Sequence, residues 1–320
     1  MQTNILKKET ENIQILKRID LIKEGFLIEQ DFRGCSSALR YICQKQNQKY
    51  FVKIYKMNRI EDIEYIDSIY KELKIPTANV IEKGYLKEFD KTYVIYEFIE
   101  GKTLLELTKE KTIKELEKIG KRVGKYLAKF KILKCEEEKV AALFEQEIKK
   151  LIEILYYMRD YYNKNGTQKL EFIDIDRLCS VFNNYKKYLY NIGSTFIHKD
   201  INLKNIIVKD EEVYFIDMDG GKFSFRALDF RGICWWTWDG EKKLEEQAIY
   251  RGIFKGLLGK TISDDFHKEL AFTIIYEFLL KIEEVSVSKD LGRMEYIFSK
   301  FSDIFNRTNY FENYKFDWIN

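Results

Sequence analysis

Four polar side chains near the middle of the chain have the types and the spacing to bind a cation and to accept a proton. Asp200 and Asn205 belong to the run His-Lys-Asp-Ile-Asn-Leu-Lys-Asn, and Asp217 and Asp219 belong to Ile-Asp-Met-Asp-Gly. Carboxylate and amide oxygens are hard ligands of the kind that Mg²⁺ prefers. A carboxylate on a loop can also accept the proton of a hydroxyl group. The pattern therefore indicates a candidate site for metal-assisted chemistry.

Asp and Asn are also common turn residues that cap strands, and this structural interpretation suits any one of these side chains taken alone. Two apolar runs, 206–208 and 213–216, flank a polar turn at 209–212 and predict a hairpin between the two motifs. A hairpin brings its two ends side by side. The joint pattern therefore favours one functional site over separate capping residues.

The order of these motifs resembles that of a known superfamily. The pattern His-x-Asp-x-x-x-x-Asn, two strands and Ile-Asp-x-Asp is similar to the catalytic and metal-binding loops of the aminoglycoside phosphotransferase and choline kinase superfamily, relatives of protein kinases. The resemblance implies an α+β, two-lobed protein-kinase-like fold. Residues 1–99 would form a small antiparallel-sheet lobe that binds nucleotide, and residues 100–320 a mainly helical catalytic and substrate lobe with the catalytic hairpin.

The resemblance also assigns roles to the polar side chains. It implies transfer of the γ-phosphate of ATP or GTP to a hydroxyl group, with Mg²⁺ as cofactor. Such transfer needs an acceptor held in line and charge on the phosphates neutralised. Asp200 resembles the catalytic base, Asn205 and Asp217 the metal ligands, and Asp219 a ligand of a second ion or a substrate contact.

Two further residues match positions that support the catalytic loop. His198 corresponds to a histidine that orders this loop by packing, so we expect a structural role and not the role of the base. Asp229, in the run Ala-Leu-Asp-Phe, resembles an acidic residue that anchors the loop by hydrogen bonding.

In the N-terminal lobe the resemblance implies a lysine that contacts the α- and β-phosphates. Lys53 is the candidate, because it lies at the centre of the apolar-rich run 50–55. Glu64, on the following helix, is its expected partner, because the interval from Glu64 to Pro76 is the one that the resemblance implies. Glu61 and Glu72 are alternatives, and a solvated helix face is the structural interpretation for each.

Other nucleotide contacts are expected before and after this strand. The loop before Lys53 lacks a Gly-x-Gly-x-x-Gly pattern, but Gly34, Ser36 and Ser37 could offer donors to phosphate oxygens. The run 94–104 resembles the strand and connection that bind adenine through backbone groups, with Glu97 and Ile99 as contacts. An ordinary strand that enters a Gly turn would explain this run equally well.

The elements that position these residues follow from hydrophobic periodicity. Before residue 100 short strand-like runs alternate with one helix at about 60–73, which ends before Pro76. After Gly101 apolar residues recur at three- and four-residue spacing near 113–134, 140–163 and 172–191, which predicts long amphipathic helices. Helices resume from about residue 241 to the end.

The acceptor is expected to be a small molecule. Protein kinases usually have Lys two residues after the catalytic Asp, whereas Asn202 stands here, and no Ala-Pro-Glu follows. A cationic head group would suit an aromatic and acidic stretch beyond Asp229, although core packing also explains it. Its residues are Trp235, Trp236, Trp238 and Asp239.

Composition excludes several classes of protein. The chain of 320 residues has 55 basic and 52 acidic residues with interleaved signs, which gives no reason to expect nucleic acid as a partner. Five scattered cysteines fit a reducing cytoplasm better than a disulfide framework. The polar N-terminus and the lack of a long apolar run indicate no signal peptide and no membrane span.

Two other functions stay open. One is a kinase-like binding or structural protein without turnover, such as a spore-coat component. The bacterial spore-coat branch of the superfamily has a similar Ile-Asp-x-Asp-Gly followed by Arg-x-x-Asp, which here runs from Arg226 to Asp229. The sequence retains Lys53, Asp200, Asn205 and Asp217, which argues against a protein that has lost its activity. A metal-dependent phosphate-ester hydrolase is the other, but it would want additional His and Asp ligands.

Overall fold

The computed structural model describes residues 14–22, 25–31, 38–133, 135–166, 173–192, 194–233, 243–259 and 262–319. The chain divides into two compact units. The first unit contains Met1–Gly101 and Tyr214–Asp219, and the second contains Lys102–Val213 and Gly220–Asn320. The sequence interpretation ends the N-terminal lobe at residue 99, and the structure adds the short segment Tyr214–Asp219 to this lobe.

The first unit is built on a five-stranded sheet with the strand order β1-β2-β3-β5-β4. Neighbouring strands are antiparallel. The strands are β1 Leu27–Gln30, β2 Leu39–Lys45, β3 Gln48–Lys56, β4 Val80–Leu86 and β5 Lys91–Glu97. Residues 52–55 of the central strand β3 are all buried. An ionisable side chain on this part of β3 therefore needs a partner of opposite charge.

One helix, α1 (Ile60–Glu72), follows β3. Its buried residues are Ile63, Ile66, Ile69 and Tyr70, which recur at three- and four-residue spacing and form one apolar face. The helix ends shortly before Pro76, as the sequence predicts, because the residue before a proline disfavours helical backbone.

The segment Tyr214–Asp219 joins the first unit by backbone contacts. The amide of Phe215 donates to the carbonyl of Pro76 at 2.9 Å, and Thr77 and Phe215 form a parallel bridge. These contacts fix the backbone two residues before Asp217.

The second unit is mainly helical. Its helices are α2 Leu104–Leu107, α3 Ile113–Leu127, α4 Glu137–Asn165, α5 Ile175–Ile192, α6 Leu244–Leu258, α7 Asp264–Ser288 and α8 Leu291–Arg307. Capping boxes begin the first two, where Thr103 pairs with Glu106 and Thr112 with Glu115. Along α7 the buried residues occupy all sides, which makes this helix the centre of the second core.

Helices α3 and α6 pack backbone against backbone through glycines. A Cβ on Gly120 would overlap the carbonyl oxygen of Ile249, and a Cβ on Gly252 would overlap that of Glu117. Gly124 and Gly256 repeat the arrangement one turn further along each helix. Only glycine permits so close an approach, so these four residues set the distance between the helices.

Short strands frame the catalytic-loop sequence. β7 (Ser194–Ile197) pairs with β10 (Lys222–Phe225), and β6 (Lys102–Thr103), β8 (Ile206–Lys209) and β9 (Glu212–Phe215) form a small sheet in the order β6-β8-β9. β7 ends at the residue before His198, and β8 begins directly after Asn205. The predicted hairpin is thus present, with its turn at residues 210–211.

The architecture confirms the predicted α+β fold class, with an antiparallel-sheet unit, a mainly helical unit and a hairpin. Within the described residues, no helix is both long and apolar enough to cross a membrane.

Candidate active site

Lys53 is a buried cation that contacts two carboxylates. Its side chain is 3% exposed, and its ammonium forms ion pairs with Asp217 and with Asp219, the latter at 2.5 Å from Nζ to Oδ1. The two aspartates come from the segment that joins the first unit from far along the chain. The structure therefore brings together three residues that the sequence singled out separately.

The electrostatics of this cluster favour its charged form. Burial acts most strongly on Lys53 and by itself lowers its pKa, but the charges of Asp219 and Asp217 outweigh burial and raise that pKa above the usual value. Burial likewise opposes ionisation of Asp219, and Lys53 outweighs it and lowers the pKa of this carboxyl. At neutral pH Lys53 is therefore an ammonium and Asp219 a carboxylate.

The donor set around the Lys53 ammonium fits Mg²⁺. A positive group already lies against the oxygens of Asp217 and Asp219, which shows that both carboxylates can face one cation. Among the described residues no group of three or more His, Cys, Asp or Glu side chains is placed to hold a metal ion. Mg²⁺ does not need such a cage, because it usually binds one or two carboxylates together with phosphates and water.

The turn that bears the two aspartates is conformationally unusual. Asp217 has φ of 62°, in the left-handed region, and a short 3₁₀ helix, Met218–Gly220, follows. Asp tolerates this backbone better than most residues, but it still requires support from its surroundings.

In the second unit Asn205 is held against Asp200. Its Nδ2 donates to the Asp200 carboxylate at 2.9 Å and to the Asp200 carbonyl at 3.1 Å. Asn202 stabilises the loop between these two residues, because its Oδ1 accepts a hydrogen bond from the amide of Lys204 at 2.9 Å. Because Nδ2 makes both of these bonds, the side-chain oxygen is the atom of Asn205 that could coordinate a cation. Asp200 is partly exposed.

Asp229 contacts the backbone of the same loop. Its Oδ1 accepts from the amide of Lys199 at 2.5 Å, and Lys199 has φ of 80° directly before Asp200. Burial raises the pKa of Asp229 to about 7, while the amides of Lys199 and His198 partly offset this shift. The His198 side chain is fully buried. Asp229 thus contacts the backbone directly before Asp200.

The partner of Lys53 in this structure is not Glu64. Glu64 lies on the solvent side of α1, is 55% exposed and pairs with Lys83 at 3.4 Å. Helical periodicity explains the difference, because residue 64 falls between the buried positions 63 and 66 and projects away from the face that they form.

A second acidic residue of α1, Asp67, was not among the residues predicted from the sequence. Its side chain is 13% exposed, and it lines a small pocket with Asp219, Tyr96 and Met218. Asp67 Oδ2 accepts from Lys71 at 2.6 Å, whereas its buried Oδ1 has no hydrogen-bond partner in the described part of the chain. A carboxylate four residues after Ile63, on the apolar face of the helix, was the signal that could have identified it.

The two residues expected to contact adenine lie at and after the end of β5. Glu97 accepts from Asn79 Nδ2 at 2.7 Å, and its amide donates to the carbonyl of Asn79 at 2.9 Å. Ile99 is buried, and its carbonyl accepts from the amide of Gly101.

Several predicted contacts lie outside the described residues. They are Gly34, Ser36 and Ser37 of the expected phosphate loop and Trp235, Trp236, Trp238 and Asp239 of the expected acceptor site.

Solved structures show which class of protein has this fold. The spectinomycin phosphotransferase APH(9)-Ia in complex with ADP and spectinomycin matches with a TM-score of 0.61 at 19% identity, over 92% of this chain and 94% of that one. The gentamicin complex of APH(2″)-IIa matches with a TM-score of 0.62 at 17% identity, over 91% and 94%. The ethanolamine kinase of Plasmodium vivax matches with a TM-score of 0.54 at 17% identity, over 87% and 81%. The fold is that of the kinase-like phosphotransferases.

The family follows from the sequence. A family model described as the phosphotransferase enzyme family matches residues 30–258, which is most of the chain. The protein therefore belongs to the phosphotransferase enzyme family, as the resemblance of its motifs implied, and is a small-molecule phosphotransferase. A search of the curated proteins found no match.

Proposed function

We propose that the protein is a Mg²⁺-dependent kinase that moves the γ-phosphate of ATP or GTP to a hydroxyl group of a small cationic molecule. The observation that supports this most strongly is the buried Lys53 ammonium between the carboxylates of Asp217 and Asp219. A lysine and two metal-binding carboxylates are the groups that phosphoryl transfer uses to neutralise charge on the phosphates.

In the proposed reaction each residue has one task. Asp200 accepts or orients the proton of the acceptor hydroxyl, and its carboxylate is held for this purpose by Asn205. The oxygens of Asn205, Asp217 and Asp219 would hold Mg²⁺, which when bound neutralises charge on the phosphates. Lys53 leaves the aspartates for the phosphate oxygens. His198 and Asp229 keep the loop in its conformation.

A small cationic acceptor agrees with the relatives of known structure. Solved structures of this fold include complexes with spectinomycin and with gentamicin, and an ethanolamine kinase. We propose that the stretch with Trp235, Trp236, Trp238 and Asp239 contacts such an acceptor, because aromatic faces and a carboxylate attract cations. Gly34, Ser36 and Ser37 would contact the phosphates, and Glu97 and Ile99 the adenine.

The cysteines suit a reducing compartment, and we propose the cytoplasm. Cys43, Cys135 and Cys179 are free thiols, and burial raises the pKa of Cys43 to about 12, which makes this thiol unreactive.

The test is Mg²⁺-dependent release of nucleoside diphosphate from ATP and from GTP, with aminoglycosides, choline, ethanolamine and small sugars as acceptors. Acceptor-stimulated turnover is expected to fall about 10²- to 10⁴-fold in Asp200→Asn, since the general base is lost. Asp210→Asn is the matched control, because Asp210 lies at the exposed turn of the hairpin. Nucleotide binding without turnover on any acceptor would show a kinase-like binding protein instead.

A further inference from the structure

Arg59 is a cation of the first unit that lies outside every motif found in the sequence. It occupies the connection between β3 and α1, directly before the first residue of the helix. Its amide donates to Thr92 Oγ1 at 2.9 Å, and that hydroxyl donates to the carbonyl of Met57 at 2.8 Å. Thr92 is fully buried in β5. The backbone of Arg59 is therefore fixed to the central part of the sheet.

The guanidinium of Arg59 reaches the turn that contains Asp217 and Asp219. Nη2 donates to the backbone carbonyl of Asp219 at 3.1 Å, and Nε donates to Asp62 Oδ2 at 3.4 Å. The group also lies over the Tyr55 ring, 5.3 Å from its centroid, and the side chain is 29% exposed. Three separate contacts thus define the position of this planar group.

Two cations hold Asp219 by different atoms. Lys53 contacts its carboxylate, and Arg59 contacts its backbone carbonyl. The turn that contains Asp219 needs such support, because Asp217 has a left-handed backbone and such residues persist only where the surroundings hold them. Upstream of the turn, the bond from Phe215 to Pro76 supplies a third anchor.

The two cations differ in whether they compete with a metal ion. Lys53 uses the carboxylate oxygens that a metal would bind, so its contact is lost when a metal takes its place. Arg59 uses an oxygen of the main chain and leaves both carboxylates available. The contact of Arg59 can therefore persist while the carboxylates bind a metal.

We propose that Arg59 is a positioning residue that holds the turn with Asp217 and Asp219 in the metal-binding conformation once Lys53 has left it. This inference rests on the proposed function. The residue acts through the backbone of Asp219, in the way that outer groups orient metal ligands, where removal of such a group costs about 10- to 100-fold in metal affinity.

The test is a titration of the full-length protein with Mn²⁺ in the presence of ADP, followed by the electron paramagnetic resonance signal of free Mn²⁺. Arg59→Met is expected to weaken Mn²⁺ binding about tenfold, because a single backbone contact is lost. This is the low end of the range for groups that orient a metal ligand without touching the metal. Arg59→Lys should be intermediate, since it keeps the charge without the planar fork. Arg18→Met and Asp62→Asn should stay within about twofold of wild type: the first removes an exposed cation of the same unit, and the second keeps the contact to Asp219.

A second readout separates positioning from general stability. If Arg59 positions the turn, the Mg²⁺ concentration for half-maximal turnover rises in Arg59→Lys, while turnover at saturating Mg²⁺ stays within about twofold. Wild-type Mn²⁺ affinity in folded Arg59→Met or, should that variant not fold, in Arg59→Lys would overturn the inference and leave the proposed function intact. Failure of the wild-type protein to bind Mn²⁺ with ADP would instead overturn the proposed function and this inference with it.

Discussion

At the scale of single residues, the central feature is the charge of Lys53 and its contact with the carboxylates of Asp217 and Asp219. Lys53 is only 2% exposed, and its burial is tolerated because the carboxylates of Asp217 and Asp219 balance its charge. The same contact means that a metal ion and Lys53 compete for the two carboxylates. In the proposed function, the ammonium would be the counter-ion of the two carboxylates before nucleotide and metal bind.

Lys53→Met should therefore have two opposite effects. It leaves two carboxylates close together and is expected to lower the free energy of unfolding by about 3 kcal/mol, the low end for a buried pair, since Asp217 is 26% exposed. It should also strengthen Mn²⁺ binding in the absence of nucleotide, and Mn²⁺ should restore much of the lost stability. Urea unfolding with and without Mn²⁺ measures both effects. Lys56→Met, at the exposed end of the same strand, is the control, and equal Mn²⁺ affinity in the two variants would contradict the prediction.

Asp229 should make stability depend on pH. Its pKa of about 7 in the folded state lies above the ordinary value of 3.8, so the folded protein holds a proton that the unfolded chain releases. The stabilising contribution of this group is complete below about pH 4 and is lost as the pH rises through 7. The difference in unfolding free energy between wild type and Asp229→Asn should fall by about 2–4 kcal/mol over that range and change little above it.

Urea unfolding of both proteins at several pH values measures this difference. Burial also raises the pKa of Glu269 to about 7, but Glu269 is common to both proteins and cancels in the comparison. A difference that does not change between pH 4 and 7 would show that Asp229 stays ionised in the folded protein.

The residues of the site could be predicted to different extents. Spacing along the chain was enough to single out Asp200, Asn205 and Asp217 as candidates, because their two motifs flank one predicted hairpin. The buried acidic residue of α1 could not be chosen by sequence interval, because residues 64 and 67 are neighbours on the helix surface and only the packing of the folded chain shows which of them is buried. Burial distinguishes Asp67 from Glu64, and burial is a property of the fold.

At the scale of elements, the glycine contacts of α3 and α6 are the most restrictive packing in the second unit. Gly252→Ala should lower the free energy of unfolding by about 1–3 kcal/mol, because its Cβ would overlap the carbonyl oxygen of Glu117 and the helices must separate. Thermal or urea unfolding measures the change.

The control for this substitution is Gly292→Ala, also within a helix. Its nearest neighbour would be Asp290 Oδ1 at 3.6 Å, an ordinary contact. Since alanine favours helix over glycine, this variant should be neutral or up to about 1 kcal/mol more stable. Equal effects of the two substitutions would mean that helix propensity and not close packing dominates at residue 252.

Long elements were predictable and short ones were not. The helix at about 60–73, the helices predicted near 140–163 and 172–191 and the hairpin at 206–216 agree with the structure to within a few residues, because each has a clear period of apolar residues. The helix predicted at 113–134 ends earlier, at Leu127, and a 3₁₀ helix, Ala128–Ile132, follows. Strands β6, β7 and β10 contain only two to four residues and show no period of their own. Pairing with strands distant in sequence defines them.

At the scale of the whole molecule, the chain crosses between the units within β9, since Val213 belongs to the second unit and Tyr214 to the first. We expect both units to unfold in one transition, because the segment with Asp217 and Asp219 is continuous with the hairpin of the second unit. Tryptophan fluorescence reports the second unit, where all four tryptophans lie. Hydrogen exchange in β3 reports the first. Two separate transitions in urea would contradict this expectation.

The crossing also sets an order of events on the ribosome. The strands β1 to β5 are complete when residue 97 has been synthesised, but the carboxylates that compensate Lys53 are encoded 164 and 166 residues after it. At about 5–20 residues per second, the ribosome needs roughly 6–24 s to extend the chain from Gly101 to Asp219. During that interval the nascent sheet has a lysine in its interior without the carboxylates of Asp217 and Asp219, so the first unit cannot reach its native state until the hairpin of the second unit has also been synthesised.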